Sequence, residues 1–255
     1  MHVLAIGNQK GGVAKTTSAA ALGVILSRRG KAVHLIDMDP QANLSEAFGV
    51  EDGEGLLFQA LRQRGPLPVV RLSDTLTLTP SSIDLARAET EFLGEPGREY
   101  MLKTCLEKTE LPGHVPANGD VVVIIDCPPS LAVLATNCLT ATEALLVPMK
   151  AGGFELRAVG HLTDVVRLLK ERVNPGLRIV GVVLTEAKKR RAITPQVIEE
   201  VGRLYPVLGV IPEDAELVYA TTGGTTLKLK RSTALEEYRK VVDKLGEELA
   251  WLNVK

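Results

Sequence analysis

A glycine-rich turn between an apolar run and an alanine-rich stretch constrains the fold more than any other feature. Val3–Ile6 is apolar and predicts a short buried strand. Residues 18–29, SAAALGVILSRR, predict a helix because alanine and leucine are strong helix formers. A strand, a glycine-rich turn and a helix in this order cradle an anion, because the turn N–H groups and the helix N-terminus converge on one point.

The turn departs from the common phosphate-loop pattern G-x-x-x-x-G-K-[ST] at two positions. Gln9 and Ala14 stand where that pattern has glycine, so the segment reads K-G-G-x-x-K-[ST]. We expect Lys15 to reach the β- and γ-phosphates of a nucleotide and the Thr16 hydroxyl to bind Mg²⁺. The predicted nucleotide-binding residues of this turn are Lys10, Gly11, Gly12, Val13, Ala14, Lys15, Thr16 and Thr17.

Two further apolar runs lead directly into aspartate. The first ends in Asp37-Met38-Asp39-Pro40, and the second, at 121–125, ends in Asp126. Open α/β sheets bind ligands at the carboxyl ends of their strands, so these carboxylates are expected beside the glycine-rich turn. A strand-ending aspartate such as Asp126 typically holds Mg²⁺ in phosphate-loop proteins. An acidic helix cap followed by proline is the alternative interpretation of Asp37 and Asp39.

Three motifs together resemble the deviant Walker A box and the switch loops of the ParA/MinD group of ATPases. They are residues 10–17, D-M-D-P-Q at 37–41 and D-C-P-P-S at 126–130. The resemblance covers nearly the whole chain and is nearest to the short, Soj-like partition ATPases. It implies that Lys10 crosses a dimer interface to the partner's nucleotide. It also implies a catalytic set of Lys10, Lys15 and Asp39, with Asp39 positioning the attacking water, and a metal set of Thr16, Asp37 and Asp126.

The same resemblance implies an activity and partners. The expected reaction is slow, Mg²⁺-dependent hydrolysis of ATP to ADP and phosphate, stimulated by a ParB-like centromere-binding protein. The ATP-bound homodimer is expected to bind double-stranded DNA without sequence preference and to segregate chromosome or plasmid DNA, in the cytoplasm on the nucleoid. A MinD-like membrane-cycling ATPase is the main alternative, and a metabolic P-loop ligase or kinase is a third.

Contacts to adenine and to DNA are less specified by the sequence. Related ATPases place the base near the loops after the last two strands, which implies Thr185, Pro212, Glu213 and Asp214. Two basic clusters are either solvated loops or phosphate-binding patches. They comprise Lys188, Lys189, Arg190 and Arg191, and then Lys228, Lys230 and Arg231.

Net charge, cysteine spacing and the order of predicted elements narrow the remaining classes of function and fold. The net charge of −1 gives no overall basic signature for nucleic acid, so binding would depend on local patches. The three cysteines form no C-x-x-C pair, which excludes a zinc ribbon or iron–sulfur reading of them. Strands alternating with helices predict a single doubly wound α/β domain over residues 1–255, with a mainly parallel sheet. The first strand begins so early that we expect no signal peptide and no preceding DNA-binding domain.

Two helices are predicted from apolar spacing. Residues 81–94 open with serine and predict an amphipathic helix. The last helix carries one apolar stripe, and its acidic pair Glu247-Glu248 argues against a membrane-binding tip, so we expect it to dock on the core. The stripe consists of Leu235, Tyr238, Val242, Leu245, Leu249 and Leu252.

Overall fold

Eight strands form one sheet in the computed structural model, which describes residues 1–51, 54–111, 121–150, 155–187 and 195–252. The strands are β1 (His2–Ile6), β2 (Ala32–Asp37), β3 (Val70–Arg71), β4 (Leu76–Thr79), β5 (Val121–Asp126), β6 (Ala144–Lys150), β7 (Arg178–Ala187) and β8 (Val207–Pro212). Their order across the sheet is β3-β4-β2-β5-β1-β6-β7-β8. Every neighbouring pair is parallel except β3 with β4, which confirms the predicted mainly parallel sheet.

The register of the central strands brings the sequence motifs together. In β1, Ile6 lies opposite Asp126 of β5, and Asp37 of β2 lies opposite the same residue from the other side. The three strands therefore end at one level, where the glycine-rich turn and both aspartate loops begin. These strands are fully or almost fully buried, as expected of β-branched and leucine-rich runs covered on both faces.

Ten α-helices are assigned within the described ranges, and they cover both faces of the sheet. They are α1 (Lys15–Arg28), α2 (Asn43–Ala47), α3 (Leu56–Gln63), α4 (Ala88–Glu91), α5 (Met101–Glu107), α6 (Val133–Thr140), α7 (Glu155–Arg172), α8 (Pro195–Gly202), α9 (Ala215–Thr222) and α10 (Thr233–Glu248). One core lies under α1, α2, α9 and α10, and a second lies under α3, α5, α6, α7 and α8. In the part of the chain described, no helix is both long and apolar enough to cross a bilayer.

The last helix docks on the core as its apolar stripe predicts. All six stripe residues are buried, and the Tyr238 hydroxyl lies 2.8 Å from Ser18 Oγ of α1. Ser232 caps the helix by accepting a hydrogen bond from the N–H of Leu235 at 3.1 Å. The apolar stripe therefore packs against the protein's own core.

The prediction of a single amphipathic helix over residues 81–94 is wrong in the type and length of the helix. Ile83–Arg87 is a 3₁₀ helix and α4 adds a single α-helical turn, while Ser82 makes no capping hydrogen bond through its side chain. The tighter winding places Leu85 and Ala88 in the core, and the guanidinium of Arg87 lies 4.6 Å from the centre of the Phe58 ring. Packing here outweighs local helix preference.

His34 makes the fold sensitive to acid. It is fully buried in β2, with Nδ1 2.9 Å from Thr77 Oγ1 and Nε2 3.0 Å from Thr79 Oγ1. Burial lowers the pKa of His34 to about 3, against about 6.5 in an unfolded chain. Between these values the unfolded chain binds the additional proton, so the contribution of His34 to the free energy of unfolding falls as pH falls.

We expect His34 to remove about 2 kcal/mol of stability between pH 7 and pH 5. Burial raises the pKa of Asp37 to about 7, which acts in the opposite direction, so the wild type alone is not diagnostic. His34→Gln keeps a side chain that can hydrogen-bond Thr77 and Thr79 but does not titrate. Urea unfolding of both proteins at pH 7 and pH 5 should show the smaller acid loss in the glutamine variant. An equal loss of unfolding free energy in both proteins would contradict the conclusion that His34 is buried in its neutral form.

Candidate nucleotide site

The glycine-rich turn between β1 and α1 adopts the conformation that an anion cradle needs. Gly12 has φ 65° and Ala14, directly before α1, has φ 62° and ψ 36°, so both occupy the left-handed region. For alanine this conformation costs roughly 1–2 kcal/mol. Ala14 therefore takes the backbone geometry of the glycine that the common pattern has there.

Asn8 holds the start of this turn. Its side-chain amide donates to the carbonyl oxygen of Pro148 in β6 at 2.7 Å, and its Oδ1 accepts from the N–H of Lys10 at 3.1 Å. The turn is thereby tied to the neighbouring strand. No local pattern indicates this contact, because it joins residues 140 positions apart.

The two lysines of the turn differ in burial. Lys15 is 7% exposed, and its ammonium donates to the carbonyl oxygen of Lys10 at 3.3 Å, so it lies folded under the loop. Lys10 is exposed. A buried lysine suits a phosphate bound in the cradle, and an exposed lysine can reach a molecule that approaches from outside.

Thr16 and Asp126, two of the predicted metal ligands, lie side by side at the start of α1 and the end of β5. The Thr16 hydroxyl donates to Asp126 Oδ2 at 2.6 Å, whereas Asp126 Oδ1 is buried without a hydrogen-bond partner. Burial raises the pKa of Asp126 well above its usual range, and the Asp37 carboxylate adds to the rise, while the Thr16 bond and Lys15 lower it. The Thr16 hydroxyl and the Asp126 carboxylate, one oxygen of which is buried without a hydrogen-bond partner, are oxygen ligands of the kind that suits Mg²⁺.

Asp37 and Asp39 shape the loop after β2. Asp37 Oδ2 accepts hydrogen bonds from both the N–H and the hydroxyl of Ser45, each at 2.8 Å. Its Oδ1 accepts from the N–H of Asp39 at 3.2 Å. Asp39 is 9% exposed and accepts from the N–H of Gln41 at 3.0 Å. Asp37 thus holds the loop and α2 in place, and it remains next to Asp126 across the sheet.

A cavity of about 700 Å³ opens beside the turn and has the size of a nucleoside site. Gly12, Ala14 and Thr17 form one end of its wall, and Thr185 lies further along, its hydroxyl 3.2 Å from the carbonyl oxygens of both Val13 and Met149. Pro212, Glu213 and Asp214 line the same cavity, so the predicted base-contacting residues surround one space with the phosphate loop.

The Asp214 carboxylate is largely engaged within the protein. It caps α9 by accepting from the N–H of Leu217 at 3.1 Å, and it also accepts from the N–H of Ala234 at 2.8 Å. Burial alone would raise the pKa of Asp214, but these hydrogen bonds bring it below its usual value. We therefore assign the Asp214 side chain to holding the cavity wall, which leaves base contact to its neighbours.

Of the two predicted basic clusters, only the second falls within the described residues. Lys228, Lys230 and Arg231 are exposed between α9 and α10, whereas Lys188, Lys189, Arg190 and Arg191 lie outside the described residues. Lys228 shares a surface hollow with Tyr219, which is 80% exposed. No aromatic residue interleaves with the basic clusters in the sequence, and the fold brings Tyr219 to the second cluster.

Arg231 lies in a more acidic setting. It lines a depression together with Glu213, Glu216, Glu236 and Glu237. These carboxylates reduce the local positive potential, so we expect Arg231 to attract an anionic ligand less than Lys228 and Lys230 do.

Comparison with known proteins fits this geometry. A family model described as an AAA domain matches residues 1–179. The sporulation initiation inhibitor protein Soj of Bacillus subtilis (strain 168) is 36% identical over 246 residues, which cover 92% of this chain and 94% of Soj. The chain belongs to the Soj/ParA family of partition ATPases. The family member ParA, a chromosome partitioning protein of Caulobacter vibrioides (strain NA1000 / CB15N), is 37% identical over 240 residues, 90% of this chain and 87% of that protein.

A solved structure with this fold contains nucleotide and metal. Cobyrinic acid a,c-diamide synthase from Mycobacterium smegmatis, with bound ATP analog and magnesium, superposes with a TM-score of 0.78 at 32% identity. The match covers 98% of this chain and 96% of that one. That protein is named a synthase, whereas the Caulobacter relative is named a chromosome partitioning protein, so the shared fold alone does not decide the reaction.

Ser45 and Tyr238 are further site residues that the sequence did not reveal as such. Ser45 holds Asp37 from eight positions along the chain, and Tyr238 lines the cavity from α10 while pairing with Ser18 of α1. Tyr238 was identified only as a member of an apolar stripe. No local pattern distinguishes such residues from ordinary helix residues, because their partners are set by the packing of distant elements.

Proposed function

We propose that this protein is an ATP-dependent, dimerising partition ATPase whose single domain spans residues 1–255. It binds double-stranded DNA without sequence preference in the ATP state, and a ParB-like partner stimulates its slow hydrolysis of ATP. The observation that carries the proposal is the pairing of a buried Lys15 with an exposed Lys10 on one phosphate loop, in a chain 36% identical to Soj over 92% of its length.

The residues present fit a nucleotide with magnesium. The phosphates would lie against the turn at 10–17 and Lys15, and the base would lie in the cavity walled by Thr185 and Pro212. Thr16 and Asp126 would hold the metal, with Asp37 behind them, and the unpartnered Asp126 Oδ1 gives this assignment its support. When bound, magnesium supplies positive charge that stabilises the phosphates during transfer to water.

The chain's own groups account for slow turnover. Lys15 neutralises phosphate charge in a water-poor position, and Asp39 accepts a hydrogen bond from an attacking water and orients it. A carboxylate is a weak base, so proton removal contributes little without help. Lys10, on the exposed side of the loop, is placed to reach the phosphates of a second copy. Dimerisation would thus complete the site, and a partner protein would then set the rate.

The DNA contact is proposed for the basic residues Lys228 and Lys230. In a dimer each cluster is present twice, which doubles the number of phosphates contacted. Each phosphate contact adds about 0.9 to the slope of log affinity against log salt. Binding should therefore depend on salt and hardly on sequence.

We expect the protein to bind two unrelated duplexes equally with Mg²⁺ and a non-hydrolysable ATP analogue, and much more weakly with ADP. The double variant Lys228→Glu/Lys230→Glu should lower affinity and flatten the salt slope on both duplexes, measured by fluorescence anisotropy. Lys103→Glu, an exposed lysine of α5 on the opposite face of the sheet, is the matched charge control and should bind as wild type does. Equal DNA binding by wild type with ADP and with the analogue would reject the proposed function.

A further inference from the structure

The segment Gly223–Arg231, which joins α9 to α10, carries the basic residues proposed to contact DNA. It contains the 3₁₀ turn Thr226–Lys228, with Thr226 buried and Lys228 exposed. Besides its attachment to α9, where the Thr226 hydroxyl also lies 3.3 Å from the Ala220 carbonyl oxygen, the segment contacts two further elements, α1 and α2. Both elements start from loops of the nucleotide site, but they are attached to that site in different ways.

The first anchor comes from α1. The Arg28 guanidinium donates to the carbonyl oxygens of Leu227 at 3.0 Å and Leu229 at 2.7 Å. The helix begins at the phosphate loop and is buried over most of its length between the sheet and α10. A helix packed in this way is a rigid part of the frame, so Arg28 fixes one side of the segment.

The second anchor comes from α2. The Thr226 hydroxyl lies 2.5 Å from the carbonyl oxygen of Ala47, the last residue of α2, and donates to it. Gly224, at φ 64°, packs against the same element: a Cβ atom there would lie 3.1 Å from both the Glu46 carbonyl oxygen and Gly49 Cα. The contact is close enough that a shift of α2 must be transmitted to the segment.

Helix α2 is in turn held by the aspartate loop. Ser45 donates to Asp37 through its N–H and its hydroxyl, each at 2.8 Å. Asp37 lies opposite Asp126, which accepts from Thr16 of the phosphate loop. Because charges interact strongly in this buried setting, phosphates and a cation arriving at Thr16 act on the carboxylate that positions α2.

We propose that Thr226 and Gly224 are positioning residues that couple the nucleotide state of the Asp37–Asp39 loop to the placement of Lys228 and Lys230. The continuous path is Asp37, Ser45, Ala47, Thr226 and Lys228. Arg28 holds one side of the segment still while α2 moves the other. The DNA-binding consequence rests on the proposed function, whereas the coupling itself is testable on the protein alone.

The direct test is hydrogen exchange of residues 224–231 in the full chain, with Mg²⁺ and either ADP or a non-hydrolysable ATP analogue. We expect exchange in the wild type to differ between the two nucleotides. Thr226→Val, which keeps the shape but removes the hydroxyl, should reduce this difference by roughly fivefold, as for the loss of one hydrogen bond. Thr226→Ser, which keeps the hydroxyl, should restore it.

Thr221→Val is the matched control. Thr221 is also buried, but its hydroxyl donates to Leu217 and Val218 carbonyl oxygens within its own helix. This variant should keep the nucleotide-dependent difference. Gly224→Ala places a Cβ atom against Glu46 and Gly49 instead of removing a hydrogen bond, and it should reduce the nucleotide-dependent difference as Thr226→Val does. Nucleotide-dependent exchange that is absent from the wild type, or unchanged in both coupling variants, would overturn the proposal.

DNA titration separates this inference from the proposed function. Coupling is reciprocal, so duplex DNA should tighten binding of the ATP analogue in the wild type, and Thr226→Val should reduce both effects by the same factor. A general loss of stability would instead weaken DNA binding equally with either nucleotide. If the wild type binds no DNA yet shows the exchange difference, and Thr226→Val removes it, the coupling stands and the DNA-binding function fails.

Discussion

Lys15→Ala is expected to lower ATP affinity about 100-fold or more. The variant loses the buried ammonium that we propose binds the phosphates, and charge-assisted hydrogen bonds of this kind contribute roughly 1.5–3 kcal/mol each. Calorimetric titration with ATP and Mg²⁺ measures the effect directly. Since Lys15 also donates to the Lys10 carbonyl oxygen, the unfolding midpoint should be recorded alongside, to show that the variant remains folded.

Lys10→Ala is the matched control from the same loop. Its side chain lies on the exposed side, so we expect ATP to bind with nearly wild-type affinity. Dimerisation on ATP binding should fail, because the lysine that reaches the second copy is missing. Analytical ultracentrifugation with and without ATP separates the two roles. A Lys10→Ala protein that still forms the ATP-dependent dimer would contradict the assignment of this lysine to the dimer contact.

Asp39→Ala should bind ATP and dimerise, yet hydrolyse it about 10²- to 10⁴-fold more slowly, as is typical when a group that orients or deprotonates water is removed. Asp39→Asn refines the test. The asparagine oxygen can still accept the hydrogen bond that Asp39 receives from the N–H of Gln41, so the loop is retained while the negative charge is lost. If the negative charge of Asp39 is needed for hydrolysis, both variants should release phosphate slowly in a phosphate-release assay.

Two other outcomes would change the assignment. Rapid turnover by Asp39→Asn together with slow turnover by Asp39→Ala would give Asp39 a role in loop geometry. Wild-type rates in both would move the catalytic role elsewhere. Asp37, the next carboxylate along the loop, would then be tested in the same assay, although its hydrogen bonds to Ser45 indicate that its replacement would also disturb α2.

Local sequence patterns were enough to predict much of the fold and the residues around the phosphate loop. The strands before Gly7, Asp37 and Asp126 were predictable because a buried parallel strand needs an uninterrupted apolar run, and each run here is bounded by a turn signal. The same patterns located Lys15, Thr16 and both aspartate loops, since parallel strands deliver their carboxyl ends to one edge of the sheet.

Contacts between distant elements were not predictable. Asn8 with Pro148 and Thr226 with Ala47 each join a polar side chain to a carbonyl oxygen far away in sequence, and no periodicity marks either residue. The antiparallel strand β3 was missed because two residues are too few for any alternation to show. The 3₁₀ helix at 83–87 was missed because tertiary packing, and not local preference, determines its winding.

The two edge strands of the sheet affect how readily copies of the chain aggregate when they are close together. A sheet edge exposes unpaired backbone groups on which another copy of the chain can add a strand and start aggregation. Here one edge is β3, two residues long and antiparallel to its neighbour, and the other is β8, which pairs irregularly with β7 and ends at Pro212. Both are poor templates for strand addition. Many copies can therefore lie close together, as on a shared duplex, with little tendency to aggregate through their sheets.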